Sequence, residues 1–128
     1  MAKLILPDLV KGCPFPLTDN IHYEDIAPES EVWLHSHGLH PNAAHRKSFQ
    51  DCDFGRLTSM CYPTAEKQRF RILCDYINCL FAFDDLTDEG GLRKDEDGTR
   101  RAADIVMCVL RQPDTYKTEF KVGEVIGE

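Results

Sequence analysis

The sequence predicts an all-α fold. After Tyr62-Pro63, more than twenty residues follow without glycine or proline, which is typical of one long helix, and nowhere does a useful length of sequence alternate between apolar and polar residues as a strand would. With 128 residues and 42% hydrophobic content, the chain is long enough to bury the core of one domain.

Three prolines (Pro7, Pro14 and Pro16) interrupt the first twenty residues. We therefore expect residues 1–20 to form an extended strap and residues 21–128 to form the helical domain. The pattern then predicts a helix over 21–37, which Pro28 must either start or kink.

Short helices are predicted over 42–52 and over 54–61, the second with Asp53 as its N-cap. The long helix should run over 65–88 behind Thr64 as a cap and end at Gly90-Gly91. A charged loop follows, and Thr99 should cap a last helix that ends near Arg111. We expect no recognisable helix after about residue 116.

The net charge of −7 is concentrated in residues 84–98, where seven acidic residues face two basic ones, so −5 of the −7 lies there. Such a patch attracts cations and repels phosphates, so we expect no nucleic-acid partner. The six cysteines lack paired short spacings and follow no secretory signal, which favours reduced, buried cysteines in a cytoplasmic protein. The apolar run at the start is too short to insert into a membrane.

Asp84 and Asp88 are four residues apart, so they share one face of the long helix, whereas Asp85 points aside. Steps of three and four back along that face lead to an apolar stripe of Leu80, Ile77 and Leu73, with Phe81 beside it. Carboxylates that extend a buried stripe need a cation, and two oxygens one turn apart suit Mg²⁺. The alternative is a solvated acidic helix end, although acids there oppose the helix dipole.

Other sites find less support. Residues 93–104 resemble a calcium loop, but its first ligand position would be Arg93 and its last Asp104. Four histidines lie close together but lack zinc spacing and a CxxC partner, so we interpret His35, His37, His40 and His45 as surface residues. No nucleophile elbow or glycine-rich phosphate loop is present in the sequence.

The stretch YPTAEKQRFRILCDYINCLFAFDDLTDE, residues 62–89, resembles the helix that carries the DDxxD motif in fungal sesquiterpene synthases. Residues 6–22 and 30–33 resemble the strap and first helix of the mushroom-type enzymes, and the resemblance extends to about residue 114. It implies the N-terminal part of a class I terpene synthase bundle. Complete members continue through further helices that carry a second metal motif.

The resemblance implies that Asp84 is the principal Mg²⁺ ligand, that Asp88 assists and that Asp85 supports them indirectly or through water. Ile77, Leu80 and Phe81 would line the substrate pocket. The implied reaction ionises a prenyl diphosphate, with farnesyl diphosphate favoured, and cyclises it to a sesquiterpene. Because the sequence lacks the second motif, we expect this chain alone to have little activity and its exposed apolar face to self-associate.

Two other functions stay open. One is a non-catalytic, acidic helical module that binds cations or a partner. The other is a prenyl-chain elongating enzyme, although its arginine pair would follow the aspartates more closely than Arg100-Arg101 does. Residues after about 116 do not resemble the family, and we expect them to derive from an altered reading or a truncation.

Overall fold

The computed structural model describes residues 5, 7–8, 11–88 and 91–127. Within this part of the chain there are helices and no strands, which confirms the predicted all-α class. The helices, numbered in chain order, are α1 (Tyr23–Ser36), α2 (Ala43–Asp51), α3 (Phe54–Cys61), α4 (Lys67–Asp88), α5 (Glu96–Arg111) and α6 (Lys121–Ile126).

The long helix α4 is the centre of the fold. It packs against α1, α3 and α6. Two apolar clusters result. The smaller one lies near the start of α4 and contains Ile26, Phe70 and Cys74. The larger one joins α1, α2, α4 and α6 through Leu34, Phe49, Cys79, Ala82 and Val125.

The strap predicted over residues 1–20 lies partly outside the described residues, and residues 13–20 form neither helix nor strand. Its end is anchored at Asn20, which is only 3% exposed. The Asn20 side-chain amide donates hydrogen bonds to the carbonyls of Tyr62 and Ala65, over 2.8 and 2.9 Å. This side chain therefore ties the start of the helical part to the turn before α4.

Of the three predicted N-caps, one is confirmed and two are wrong. The predicted start of α3 is confirmed, because Asp53 accepts from the Arg56 amide. Thr64 does not cap α4, which begins at Lys67 because the preceding residues form a turn. Thr99 is not the cap of α5 either, since Asp95 accepts from the Gly98 amide over 2.8 Å and starts the helix at Glu96.

Pro28 lies inside α1, five residues after its start, so the alternative in which it begins the helix is wrong. Proline tolerates helical backbone angles but lacks an amide hydrogen, so this turn of α1 has one backbone hydrogen bond fewer.

The chain after residue 116 ends in a helix, and the expectation of no helix there is wrong. Helix α6 has only six residues, yet Val122 and Val125 are 1% and 2% exposed. Val125 belongs to the larger apolar cluster together with Cys79 and Ala82 of α4. Tertiary burial, rather than local propensity, accounts for a helix this short.

The expectation that all six cysteines are buried is also wrong in part. All are free thiols, but only Cys74 and Cys79 are buried. Both lie on the side of α4 that faces the apolar clusters. Cys13, Cys52 and Cys61 are exposed.

Candidate metal and substrate site

The three aspartates of the DDLTD sequence lie in the last turns of α4, and all three are exposed. Asp84 and Asp88 are one helical turn apart on the same face, while Asp85 lies about 100° around the helix. The Thr87 hydroxyl donates to the Asp84 carbonyl over 3.0 Å, which helps to hold this last turn in helical form.

The end of α4 offers carboxylates without a basic residue in its last turn. Neither Asp84 nor Asp88 forms a side-chain ion pair within the described part of the chain. The described residues contain no group of three or more His, Cys, Asp or Glu side chains placed to hold a metal. A pair of carboxylates does fit Mg²⁺, which commonly binds one or two protein carboxylates and completes its coordination with water and substrate phosphates.

The apolar stripe behind the aspartates is not the buried face of α4 in this chain, which agrees with the expectation that an apolar face stays exposed here. Leu80 is 46% exposed, and Leu73 and Ile77 are only half-buried. The buried face instead follows steps of four through Phe70, Cys74, Asn78 and Ala82. Three of these side chains are small, which lets α1 approach α4 closely.

Phe81, one of the residues of the predicted pocket lining, has an aromatic stacking partner. Its ring stacks on that of Phe54 from α3, with centroids 3.8 Å apart and planes inclined by 12°. Phe81 precedes Asp84 by three residues and therefore lies on nearly the same side of α4. The α3 helix thus holds an aromatic ring beside the carboxylate pair.

Sequence reasoning missed a polar network between α1 and α4. The Ser30 hydroxyl donates to Asp75 over 2.6 Å and accepts from the Asn78 amide over 2.9 Å. Arg71 reaches the same Asp75 carboxylate over 2.8 Å. Asp75 and Asn78 are polar residues three apart within residues 72–83 of α4, which are otherwise apolar or aromatic, and this spacing was the available signal.

No protein-family model matches the chain, but individual proteins do. It is 36% identical over 125 residues to the sesquiterpene synthase Agr1 of Cyclocybe aegerita and 37% identical over 126 residues to sesquiterpene synthase 1 of Postia placenta. It is also 37% identical over 116 residues to the alpha-muurolene synthase of Coprinopsis cinerea. The chain belongs to the fungal sesquiterpene synthases.

These matches cover 98%, 97% and 91% of the chain but only 35%, 35% and 26% of the synthases. The chain thus spans about a third of the length of the curated relatives it matches, and it fits their N-terminal part. The match to the Delta(6)-protoilludene synthase 18 of Postia placenta, at 33% identity, includes all 128 residues and therefore the α6 segment.

Within this sesquiterpene synthase segment, two open clefts lie along α1, away from the aspartates of α4. One, of about 420 Å³, has four carboxylates in its lining: Glu24, Glu31, Asp51 and Asp53. Burial, reinforced by Asp53, raises the pKa of Glu31. The other, of about 480 Å³, is bordered by Trp33, Val32 and Arg71.

None of the described helices is long and apolar enough to cross a membrane.

Proposed function

We propose that the chain provides the first metal-binding segment of a Mg²⁺-dependent sesquiterpene cyclase that ionises and cyclises farnesyl diphosphate. The observation that carries the proposal is the placement of Asp84 and Asp88 one turn apart, exposed, beside the fixed ring of Phe81. The names of the relatives supply the reaction class.

In this proposal Asp84 would be the principal Mg²⁺ ligand, Asp88 would assist it, and Asp85 would support them indirectly or through water. Bound Mg²⁺ would supply positive charge that stabilises the departing diphosphate. The exposure of the two carboxylates leaves room for the water and phosphate ligands that complete the coordination.

Ile77, Leu80 and Phe81 would form one wall of the substrate pocket. Their side chains are apolar and are half-buried or exposed in this chain, so they are accessible to a hydrocarbon chain. An apolar wall excludes water from the allylic cation and so protects it from premature quenching.

The free state of all six thiols supports a cytoplasmic location.

The metal site can be tested on this chain with Mn²⁺ as a paramagnetic substitute for Mg²⁺. Electron paramagnetic resonance should detect Mn²⁺ binding that pyrophosphate strengthens. Asp84→Asn should abolish this binding, and Asp88→Asn should weaken it. Asp104→Asn is the charge-matched control, because Asp104 is an exposed acid on α5. Equal loss in all three variants would indicate only diffuse attraction to an acidic surface.

Catalysis can be tested by placing residues 11–127 into the Cyclocybe aegerita synthase in place of the matching segment. With farnesyl diphosphate and Mg²⁺, the chimera should release a sesquiterpene detectable by gas chromatography, and Asp84→Asn in it should reduce turnover by at least 100-fold, or about 3 kcal/mol. A folded chimera that binds Mn²⁺ but forms no product would favour the non-catalytic cation-binding module.

A further inference from the structure

Two histidines that the sequence suggested were on the surface form a pair at the corner between α1 and α2. His40 is only 6% exposed, and its Nδ1 lies 3.2 Å from Nδ1 of His35. The two rings meet edge to face, with centroids 5.1 Å apart. The expectation of a surface location is therefore wrong for His40, and His35 is half-buried.

The pair begins an unbroken series of aromatic contacts that ends beside the candidate metal site. The His40 ring lies 4.5 Å from that of Phe49 on α2, and Phe49 lies 4.9 Å from Phe54 on α3. Phe54 in turn stacks on Phe81 of α4. Four successive segments are thus joined through ring contacts, so displacement of His40 would loosen the support behind Phe81.

The hydrogen bond between the two Nδ1 atoms limits where protons can reside. One Nδ1 must accept, so the bond cannot persist with both rings protonated. If His40 alone is protonated, its Nδ1 must donate, and the proton of neutral His35 must move to Nε2. That Nε2 atom is buried and has no hydrogen-bond partner among the described residues. Protonation of either ring therefore leaves a buried N–H without an acceptor.

We propose that the His35–His40 pair is an acid-sensitive latch, which holds α2 against α1 while both rings are neutral and thereby keeps Phe81 in place through Phe49 and Phe54. Acidification would break the His35–His40 contact first, and the packing of Phe49, Phe54 and Phe81 would loosen after it. The proposal concerns the packing of this chain and does not depend on catalysis.

The charges around the pair also oppose protonation of His40. The ionisable groups that act on His40 are His35 of α1 together with His45 and Arg46 of α2, and each carries or can gain positive charge. Arg46 also donates to the His40 carbonyl over 2.9 Å, so its charge is fixed at the corner. Burial and these neighbours lower the pKa of His40 to about 4, and burial and Arg46 lower that of His35.

The sign of the pH effect follows from these pKa values. An unfolded histidine takes up a proton near pH 6.5, whereas folded His40 resists protonation until about pH 4. Stability from the latch is therefore complete above about pH 6.5 and declines as the pH falls towards 4. Within this interval, each lost pH unit should lower the ratio of folded to unfolded chain by up to about tenfold for this one proton.

The test is nuclear magnetic resonance of the full chain with ¹³C-labelled histidine and phenylalanine, titrated from pH 7.5 downwards. His40 should stay neutral well below pH 6, and the signals of Phe49, Phe54 and Phe81 should shift with the same midpoint as His40. The proposal would be overturned if His40 titrated near pH 6.5, or if the Phe81 signal did not shift when His40 is protonated.

Denaturant unfolding at several pH values provides the second measurement, and it works even if the chain unfolds before His40 titrates. His40→Phe keeps an aromatic ring but removes the proton site, so it should flatten the stability profile between pH 6.5 and 4.5. His22→Gln is the matched control, because His22 lies at the other end of α1, makes no side-chain cap bond and is not among the groups that act on His40, so it should keep the profile. Identical profiles for wild type and His40→Phe would refute the latch.

Discussion

The ring of Phe54 lies flat against the ring of Phe81, with 3.8 Å between their centroids, and this contact joins the short helix α3 to the end of α4 where the DDLTD aspartates lie. Phe54 is the first residue of α3, directly after the left-handed Asp53 (φ 49°). The position of one wall of the candidate pocket therefore depends on the start of a different helix.

Phe54→Ala should lower the free energy of unfolding by about 2–3 kcal/mol, because it removes a half-buried ring that contacts both Phe49 and Phe81. Leu57→Ala is the control on the same helix. Its side chain is 40% exposed, so its loss should cost less than about 1 kcal/mol. Urea denaturation followed by circular dichroism measures both, and equal costs would contradict the importance of the stack.

Gly55→Ala should also destabilise the chain, by about 1–3 kcal/mol. A β-carbon at position 55 would lie 2.4 Å from that of Ala27, where α1 and α3 approach each other. Gly91→Ala is the matched control, since a β-carbon there meets nothing within 4 Å. Thermal unfolding should separate the two variants by several degrees, and an unchanged melting temperature for Gly55→Ala would show that the helices can move apart freely.

Ser30→Ala should cost about 1–3 kcal/mol, because the buried Asn78 amide and the Asp75 carboxylate would both lose a hydrogen bond. Ser36→Ala is the control, as that serine is exposed and bonds only within the last turn of α1 and its cap. Calorimetry of both variants checks the difference. The prediction would be contradicted if Ser36→Ala lowered the stability and Ser30→Ala did not.

The thiols should fall into two classes, one that reacts quickly with a thiol reagent and one that burial protects from it. Burial, together with neighbouring Asp75, raises the pKa of Cys74 to about 11 and that of Cys79 to about 12. At pH 8, an aromatic disulfide reagent should therefore modify the exposed Cys13, Cys52 and Cys61 within seconds to minutes. Cys74 and Cys79 should react only on unfolding, so rapid modification of all the thiols would contradict their burial.

The same two thiols give alkaline pH dependence. Their unfolded forms ionise near pH 9, while the folded forms stay neutral to about pH 11 or higher. Their contribution to stability is therefore complete below pH 9 and is lost as the pH rises through that range. Cys79→Ala should reduce this alkaline loss, which denaturant unfolding at pH 8 and pH 10 can measure.

Val125→Ala in α6 should lower the free energy of unfolding by about 2 kcal/mol, since the side chain is 2% exposed and lies in the larger apolar cluster. Glu119→Ala, an exposed position just before α6, should have little effect. Chemical denaturation distinguishes the two. If Val125→Ala proved neutral, α6 would not be packed against α4 as described.

The sequence by itself determined the helical class, the location of the long helix and the one-turn spacing of Asp84 and Asp88. These properties depend on local rules: the absence of glycine and proline, the 3.6-residue turn and the order of residues along one helix. The same local rules placed Asp53 correctly as the cap of α3.

Only the tertiary structure decided which face of α4 is buried, whether His40 is exposed and whether the last residues form a helix. Each depends on what distant segments bring into contact. Small residues such as Cys74 and Ala82 let neighbouring helices approach the face that carries them, while the larger Leu80 stays open to solvent. Burial against α4 likewise stabilises α6, which is too short to persist through its own backbone hydrogen bonds.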